Sequence, residues 1–502
     1  MSEHRGKHVF VSYVHEDSAE LDKLCAVLEA AQIPYWRDRT SLGPGDAWKA
    51  KIREAIRSGS LVFLACFSAN SRAKGKSHMN EELTLAIEEY RKMPPGRTWL
   101  IPVRIDAGDV PEWDLGAGRT LRDLNYTDLF SGGYAAQAAS LVVTIHGVMG
   151  EKKLSPAAAL ETVEQATSAD RVDLLKRFTK EMVVDPTRRI ELDDLVSQEV
   201  QRILKVISDP ELVAGPLGGT GDEQVVRLAA EAQQLFALTE PFLTSLQVAA
   251  RWAYPDSLIP WANGIRGFIQ ATHKTQGGVQ GLLDLRHLPG MVSVMVAGLA
   301  CVAARRWDNL KALAVDSSIR DRYEAKPLAV LEATDPYKPF GHQDWTANTL
   351  ASAARSGKSF AEALNGLSQR RVPKFHTPAA EWLHAMLRPV FEDQLPDDDA
   401  YDAEFDRAEV MLGVLAQDAV NVRIAAVPNG RGSGSSYWFG RSTWRSVHSY
   451  GNPVEDMQHE LATQGVKWGP LRGELFGSDL DRAKVAVDKY AEGFSEVARR
   501  RF

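Results

Sequence analysis

The chain has 502 residues, of which 44% are hydrophobic and 25% are charged, as in soluble globular proteins. A chain of this length forms about two to four domains with cores of ordinary size. The formal net charge of −7 gives no reason to expect nucleic-acid binding, because domains that bind nucleic acids usually carry a basic face.

The cysteines and the apolar segments indicate a cytoplasmic protein without membrane contact. Cys25, Cys66 and Cys301 form no Cys-x-x-Cys pair, so we expect no disulfides. Cys66 lies in an apolar run and Cys25 on an apparent helix, so both are expected to be buried. The start of the chain, "MSEHRGKHVF", lacks the apolar core of a signal peptide. The longest apolar run, 291–304, is shorter than the roughly 20 residues of a membrane-spanning helix and is predicted to be a buried helix.

Residues 1–150 alternate apolar runs with helical patterns. The predicted strands are "HVFVSY" (8–13), "IPYWRD" (33–38), "LVFLACF" (61–67), "TWLIPVRI" (98–105) and "LRDLNYTDL" (121–129). An apolar helix follows near 134–149. Five such strand–helix units predict an α/β fold with a five-stranded parallel sheet and helices on both faces. In these sheets, ligands bind beyond the carboxyl ends of the strands.

The helix predicted for "SHMNEELTLAIEEY" (77–90) carries two adjacent glutamates near its start. On a helical wheel, one apolar stripe faces the sheet and consists of Met79, Leu83, Ala86, Ile87 and Tyr90. Glu81 points away from this stripe, whereas Glu82 lies at its edge, partly solvated and facing the cleft. The alternative is that both acids merely favour the positive end of the helix dipole.

Taken together, four segments resemble the TIR domain, and specifically its bacterial branch. They are "HVFVSYVHED", "IPYWRDRTSLGPGDAWKAKIREAI", "LVFLACFSANS" and "SHMNEELTLAI", and the resemblance covers about residues 6–150. It implies a flavodoxin-like five-stranded parallel sheet. Many TIR domains of this branch are NAD⁺ glycohydrolases, while others are non-enzymatic adaptors.

The resemblance assigns the catalytic position to Glu82. Enzymatic members carry a glutamate four residues after a tryptophan, in a pattern like Trp-Cys-x-x-Glu-Leu, and Glu82-Leu83 matches its final pair. His78 stands where the tryptophan is found and Met79 where the cysteine is found. His78 is either a wall of the nicotinamide pocket, with a smaller stacking face than tryptophan, or a surface histidine.

The segment "SLGPGDAW" matches the BB loop of the family, which shapes the NAD pocket and makes contacts between TIR domains. Gly43 and Gly45 allow the backbone to turn and approach a ligand closely, and Pro44 stiffens the loop. Trp48 either stacks on the substrate or packs in the core.

Three further residues border the predicted cleft. Tyr13 and His15 follow the first strand, and Asp38 ends the second strand, where it is either a binding residue or a turn or capping residue. The 12 histidines show no zinc-like spacing, so we expect no metal. No resident cofactor is expected either, since NAD⁺ is the substrate.

Beyond a TIR domain at 1–150, we predict a helical connector and linker at 151–222 and a mostly helical sensor or oligomerisation region at 223–502. The connector contains the helical pattern "RRIELDDLVSQEVQRILKVI" and the glycine-rich "GPLGGTGDEQ" (215–224), which lacks the ending of a nucleotide P-loop. "PDDDAYDAEFD" (396–406) is predicted to be a solvated charge run.

The segment "VPNGRGSGSSYWFGRSTWRS" (427–446) is predicted to be a flexible loop. It is either a partly packed surface loop or a sensor that recognises an anionic or aromatic ligand. The candidate recognition residues are Arg431, Tyr437, Trp438, Arg441 and Trp444.

These observations lead to one functional hypothesis and two alternatives. The hypothesis is a TIR NAD⁺ hydrolase that self-associates through its TIR and C-terminal regions on sensing an unknown protein or nucleotide trigger, as a bacterial antiphage effector. The family suggests that association completes or opens the pocket through the BB loop. The alternatives are a non-catalytic scaffold and an enzyme that makes a cyclic ADP-ribose signal.

Overall fold

The chain divides into two compact units, residues 1–178 and 179–502. In this computed structural model, the described residues are 8–37, 54–56, 60–94, 96–130, 134–149, 171–274, 277–320, 327–341, 344–426, 434–436, 438–448 and 451–501.

The first unit has the predicted α/β fold. Five of its described strands form an all-parallel sheet in the order β2-β1-β3-β4-β7, which confirms the flavodoxin-like sheet. The strands are β1 (His8–Ser12), β2 (Tyr35–Trp36), β3 (Ser60–Phe67), β4 (Leu100–Arg104), a separate hairpin of β5 (Asp114–Gly116) and β6 (Arg119–Thr120), and β7 (Thr127–Asp128). The α-helices are α1 (Ser18–Ala30), α2 (Ala69–Ala73), α3 (His78–Tyr90) and α4 (Tyr134–Met149).

The two edge strands are shorter than the sequence indicated. Of the described residues of the predicted strand 33–38, which end at Arg37, only Tyr35–Trp36 pairs with β1. Of the predicted strand 121–129, only Thr127–Asp128 pairs with β4, because Leu121–Asp123 forms a 3₁₀ turn. Edge strands have a partner on one side only and are commonly kept short, which limits pairing with other chains. The β5–β6 hairpin was not predicted.

The sheet is covered on both faces, as the continuous apolar run in β3 predicted. Seven of the eight residues of β3 are buried. The rings of Phe10 and Phe63 stack with centroids 5.1 Å apart, and those of Phe63 and Trp99 lie 5.9 Å apart. The buried side chains of Leu83 and Ile87 on α3 belong to the same core. This packing fixes α3 against the sheet and thereby places the two glutamates.

The second unit is mostly helical, as predicted. Its α-helices are α5 (Arg171–Val183, which contains the division between the units), α6 (Arg189–Ile207), α7 (Gly221–Trp252), α8 (Ile259–Thr272), α9 (Gln280–Leu285), α10 (Leu288–Ala303), α11 (Trp307–Leu310), α12 (Val330–Ala333), α13 (Asp344–Ser356), α14 (Phe360–Ser368), α15 (Pro378–Phe391), α16 (Asp398–Ala425), α17 (Arg441–Val447), α18 (Pro453–Gln464), α19 (Gly469–Arg472) and α20 (Leu480–Arg501). Strands β8 (Ser318–Arg320) and β9 (Pro327–Ala329) form a short antiparallel pair.

Helix α10 forms the centre of the second unit and packs against α7 and α16. The predicted buried helix at 291–304 is confirmed, since the residues from Leu288 to Val302 are all buried. The stretch 280–303 is long and apolar enough to cross a membrane, but 94% of the residues in its apolar window are buried inside the protein, as in the core helix of a soluble protein. A Cβ atom at Gly298 would lie 2.7 Å from Leu412 Cδ1, so glycine permits the close approach of α16.

Part of the predicted connector is described. Helix α6 buries Leu192, Leu195, Val196, Ile203 and Ile207, which confirms its helical pattern. The glycine-rich segment ends at α7, where Thr220 caps the helix together with Glu223. The predicted exit from the first domain, "EKKLSPAAAL" (151–160), lies outside the described residues.

Candidate active site

Helix α3 starts at the edge of the sheet where the parallel strands end. Ser77 is its N-cap, and the Ser77 side-chain oxygen accepts a hydrogen bond from the backbone N–H of Asn80 at 3.2 Å. The apolar stripe predicted for this helix is confirmed: Met79, Leu83, Ala86 and Ile87 are buried and Tyr90 is half-buried. The register of α3 therefore follows from its apolar spacing.

The two adjacent glutamates have different environments. Glu81 is exposed, as the helical wheel predicted. Glu82 is only 8% exposed, so it is more deeply buried than the partly solvated position that the wheel indicated. A buried carboxylate requires hydrogen-bond partners, because burial without them costs several kcal/mol. Glu82 is thus a specifically accommodated side chain and not a solvated helix-edge acid.

One partner of Glu82 is Ser12, the last residue of β1. The Ser12 hydroxyl donates to Oε2 of Glu82 over 2.6 Å, and Ser12 is fully buried. The two residues are 70 positions apart in the chain, so only the packing of α3 against β1 brings them together. This hydrogen bond places the carboxylate of Glu82 at the carboxyl end of β1.

A cavity of about 690 Å³ lies at the same edge of the sheet. Its lining includes three predicted site residues, Tyr13, His15 and His78. Met79 and Glu81 also line it, whereas Glu82 is not among the described lining residues. The structure therefore groups Tyr13, His15 and His78 around one cavity and places Glu82 in the protein interior beside them.

The position of Tyr13 is set by a buried arginine. Arg37 donates from Nε to the Tyr13 hydroxyl oxygen over 2.8 Å, and its guanidinium carbon lies 4.8 Å from the centroid of the Tyr13 ring. Arg37 also donates to Asp22 Oδ1 at 2.6 Å and to the carbonyl oxygen of Ser18 at 3.1 Å. Burial opposes the charge of Arg37, but the hydrogen bonds to Tyr13 and Asp22 outweigh it and raise the arginine pKa.

Comparison with known families assigns this part of the chain. The model of the TIR domain family matches residues 9–142. These residues form a TIR domain. No family model matches the C-terminal region, and a search of curated proteins finds no match to the chain.

The remaining predicted residues of the TIR site cannot be placed. Asp38, Gly43, Pro44, Gly45 and Trp48 lie outside the described residues. Their roles in the cleft and in contacts between TIR domains stay predictions.

Four residues at this edge of the TIR domain were given no individual role by the sequence reasoning. Lys74 and Lys76 line the cavity. The Nζ atom of Lys74 also donates to both carboxylate oxygens of Glu16, at 2.6 and 2.7 Å. The "AKGKSH" run just before α3 is a signal that could have indicated the lysines. Ser12 and Arg37 carry no such signal, because their roles depend on contacts between distant segments.

The described residues of the chain contain no group of three or more His, Cys, Asp or Glu side chains that could hold a metal ion. The described cysteines, Cys25, Cys66 and Cys301, are free and buried, as predicted. Burial raises the pKa of each thiol, which makes all three poor nucleophiles. Neither cysteine of the TIR domain is a candidate for its chemistry.

In the second unit, the structure corrects the interpretation of 427–446. Trp438 and Arg441 are buried, with 1% and 4% exposed, so neither is an exposed recognition residue. Trp444 is partly buried and donates from its indole nitrogen to Glu381 over 2.9 Å. Residues 441–447 form helix α17 and not a flexible loop. Arg431 and Tyr437 lie outside the described residues.

Arg441 and Arg445 belong to a buried ion cluster, defined here as Glu381, His384, Asp402, Asp406, Glu409, Arg441 and Arg445. Arg441 Nη1 lies 3.1 Å from Asp402 Oδ1, and Arg445 Nε lies 2.7 Å from Asp406 Oδ2. The prediction of a solvated charge run at 396–406 is therefore wrong for Asp402 and Asp406, because α17 supplies the neutralising arginines.

The carboxyl groups of this cluster are perturbed. Glu409 accepts backbone hydrogen bonds from Arg441 and Ser442 at 3.2 and 3.1 Å, which anchors the start of α17. Burial, with the nearby charge of Asp406, raises the pKa of Glu409 to about 8. Burial likewise raises the pKa of Asp406 to about 6. The cluster holds four carboxyl groups but only two guanidinium groups, which favours a proton on one carboxyl.

Proposed function

We propose that the TIR domain cleaves the bond between nicotinamide and ribose in NAD⁺, with Glu82 as the catalytic carboxylate. The observation that carries this proposal is the placement of Glu82. The resemblance to the family's motif puts it at the glutamate position, and in the fold it is buried and accepts a hydrogen bond at the carboxyl edge of the sheet. A cavity of about 690 Å³ adjoins it, within the range of about 300–1,000 Å³ that is typical of small-molecule sites.

The chemistry requires little more than one carboxylate. Cleavage of this bond passes through an oxocarbenium-like centre on the ribose, as in glycoside hydrolysis. A carboxylate beside the ribose stabilises that positive charge and holds the sugar hydroxyls. Nicotinamide in NAD⁺ is already a cationic leaving group and departs neutral, so no general acid is needed. Water as the acceptor yields ADP-ribose, and an adenine nitrogen yields a cyclic product.

The cavity offers groups that suit the rest of a dinucleotide. Lys76 and Lys74 are cationic and complement a diphosphate, although Lys74 also pairs with Glu16. Tyr13 and the exposed imidazole of His78 present ring surfaces against which an aromatic base can pack. These features support a ligand that combines negative charge with aromatic rings.

Activation by association accounts for the burial of Glu82. In the single chain, Glu82 does not belong to the described lining of the cavity, so the carboxylate must gain access to the ribose. We infer that contact between TIR domains, promoted by the C-terminal region, rearranges the cavity and provides that access. Depletion of NAD⁺ in the cytoplasm of an infected bacterium would then make the protein an antiphage effector.

A non-catalytic scaffold is the second candidate function. Two observations favour it. Glu82 is not among the described residues that line the cavity. Position 78 is histidine, whereas the motif of the enzymatic TIR domains has tryptophan there. In that case the TIR domain would only assemble partners, and the burial of Glu82 would serve stability.

The test is incubation of the purified full chain with NAD⁺, in dilute solution and with a crowding agent that forces association. We expect nicotinamide release that increases with association and is lost in Glu82→Gln. Chromatography of the second product distinguishes ADP-ribose from a cyclic ADP-ribose. If the associated wild-type chain releases no nicotinamide, the scaffold function replaces the enzymatic one.

A further inference from the structure

We propose that Ser12 is a positioning residue for the reaction: its hydroxyl fixes the orientation of the Glu82 carboxylate. This inference rests on the proposed function of the TIR domain. It adds a second residue to the site, one that neither the helical pattern of α3 nor the family's glutamate motif indicates.

The backbone of Ser12 is held rigidly. Ser12 is the last residue of β1 and pairs in parallel register with Ala65 of the central strand β3. It is fully buried, and β1 is hydrogen-bonded on both sides, to β2 and to β3. Its hydroxyl therefore extends from a fixed point of the sheet, whereas a glutamate side chain has several rotatable bonds.

The contact itself is of the strong kind. The distance of 2.6 Å between Ser12 Oγ and Glu82 Oε2 lies at the short end of the range for a hydroxyl donating to a carboxyl oxygen. Such a bond restricts the rotation of the carboxylate about the side-chain bonds of Glu82. An oxocarbenium-like centre is stabilised only by a carboxylate that is ionised and held in place, so the geometry ties Ser12 to the chemical step.

Ser12 is expected to affect turnover and not substrate affinity. The cavity is lined by the next three residues, Tyr13, Val14 and His15, but Ser12 is not among its described lining residues. An interaction that acts through Glu82 and does not touch the bound dinucleotide lowers kcat and leaves KM nearly unchanged.

The experiment compares Ser12→Ala and Ser12→Thr with Ser68→Ala in the associated full chain. Ser68 is a matched control, because it is also a buried serine, it directly follows strand β3, and its hydroxyl donates to another carboxylate, that of Asp17. For Ser12→Ala we expect kcat to fall roughly tenfold to a hundredfold, with KM within about twofold. Ser12→Thr keeps the hydroxyl and should recover most of kcat, and Ser68→Ala should keep kcat within about twofold of wild type.

A double-mutant cycle of Ser12→Ala and Glu82→Ala on the melting temperature measures the contact without turnover. The combined shift should be smaller than the sum of the single shifts. Unchanged or increased kcat in Ser12→Ala, or an equal loss in Ser68→Ala, would overturn the proposal, as would additive shifts in the cycle. Absence of turnover in every chain, wild type included, would instead refute the proposed function, while the cycle would still decide whether the hydrogen bond forms.

Discussion

Arg37 and Tyr13 are joined both by a 2.8 Å hydrogen bond from the guanidinium Nε to the phenolic oxygen and by stacking of the guanidinium on the ring. Arg37 lies four positions before Ser41, the first residue of the predicted BB loop, and Tyr13 lines the cavity. One buried side chain thus joins the end of strand β2, which leads towards that loop in the sequence, to a wall of the candidate active site.

Replacing Arg37 by alanine should destabilise the first unit by about 2–4 kcal/mol, because the Tyr13 hydroxyl and the Ser18 carbonyl would lose a buried donor. The ion pair with Asp22 adds little, since the Asp22 side chain is 68% exposed. Hydrogen-exchange mass spectrometry should show faster exchange in β1 and α1.

The control for this prediction is Arg91→Ala. Arg91 pairs with Asp114 at the surface, where both side chains are at least 45% exposed, and its loss should cost about 0–1 kcal/mol. Equal exchange rates in the two variants would show that the Arg37 network has no special structural role.

Replacing His78 by tryptophan should lower KM for NAD⁺ by about twofold to tenfold. The side chain at this position is exposed and lines the cavity, so a larger ring can be accommodated without disturbing the core. A better stacking surface is worth about 0.5–1.5 kcal/mol. Steady-state kinetics of nicotinamide release measures the change.

Glu88→Trp is the matched control, because Glu88 is also exposed on α3 but is not among the described residues that line the cavity. It should leave KM unchanged. A KM for His78→Trp equal to or above that of wild type would mean that position 78 does not contact the substrate.

The buried ion cluster should make the stability of the second unit depend on pH. The pKa of Glu409 is raised to about 8 in the fold, from about 4.3 in an unfolded chain. Between these two pH values only the folded state holds the proton. The stabilisation that this proton gives to the fold is therefore fully present below the pKa of the unfolded chain, and it is lost as the pH rises through the pKa of the folded state. Asp406, with its pKa raised to about 6, acts in the same direction, whereas the pKa of His384, lowered mainly by burial, acts against it.

Glu409→Gln isolates the contribution of Glu409, because it imitates the protonated acid. Calorimetry of the full chain at about pH 5.5 and about pH 8.5 should show a smaller loss of melting temperature in the variant than in wild type. Glu404→Gln, on the same helix but paired with Arg305 at the surface, should behave as wild type. The prediction is wrong if Glu409→Gln keeps the full pH dependence.

Gly440 should not tolerate alanine. A Cβ atom at this position would lie within 1.8 Å of Glu409 Oε1, the atom that accepts the backbone N–H of Arg441. Displacing this carboxylate leaves buried groups unsatisfied, at a cost of about 1–3 kcal/mol. Thermal unfolding of Gly440→Ala should therefore begin at lower temperature than that of Gly221→Ala, where no atom lies within 4 Å of the added Cβ. Equal melting temperatures would contradict this account.

The sequence predicted the sheet and the register of α3 because both follow from local periodicity. The continuous apolar run of β3 and the stripe containing Met79 and Leu83 each identify which residues face the core. The same wheel underestimated the burial of Glu82, because its partner Ser12 is 70 positions away and no local pattern reports that distance.

The second unit shows the opposite case, in which local composition gave the wrong answer. Glycines, serines and arginines around 427–446 are typical of a flexible surface loop. In the fold, Arg441 meets the carboxylates of Asp402 and Asp406, so Arg441 and Asp406 are buried and Asp402 is half-buried, while Asp397, Asp398 and Asp399 stay exposed. Burial of these charged groups depends on the pairing of the two segments. Neither segment alone predicts that pairing, so the sequence indicated exposed side chains.

The central claim is tested most directly by the ratio of two rates: nicotinamide release by Glu82→Gln and by Glu81→Gln, under conditions in which the wild-type chain is associated and active. Both variants make the same chemical change one residue apart on α3. If Glu82 stabilises the oxocarbenium-like centre, Glu82→Gln should lose at least about a hundredfold in rate, while Glu81→Gln stays within about threefold of wild type. Comparable rates in the two variants, with both chains folded, would contradict the account.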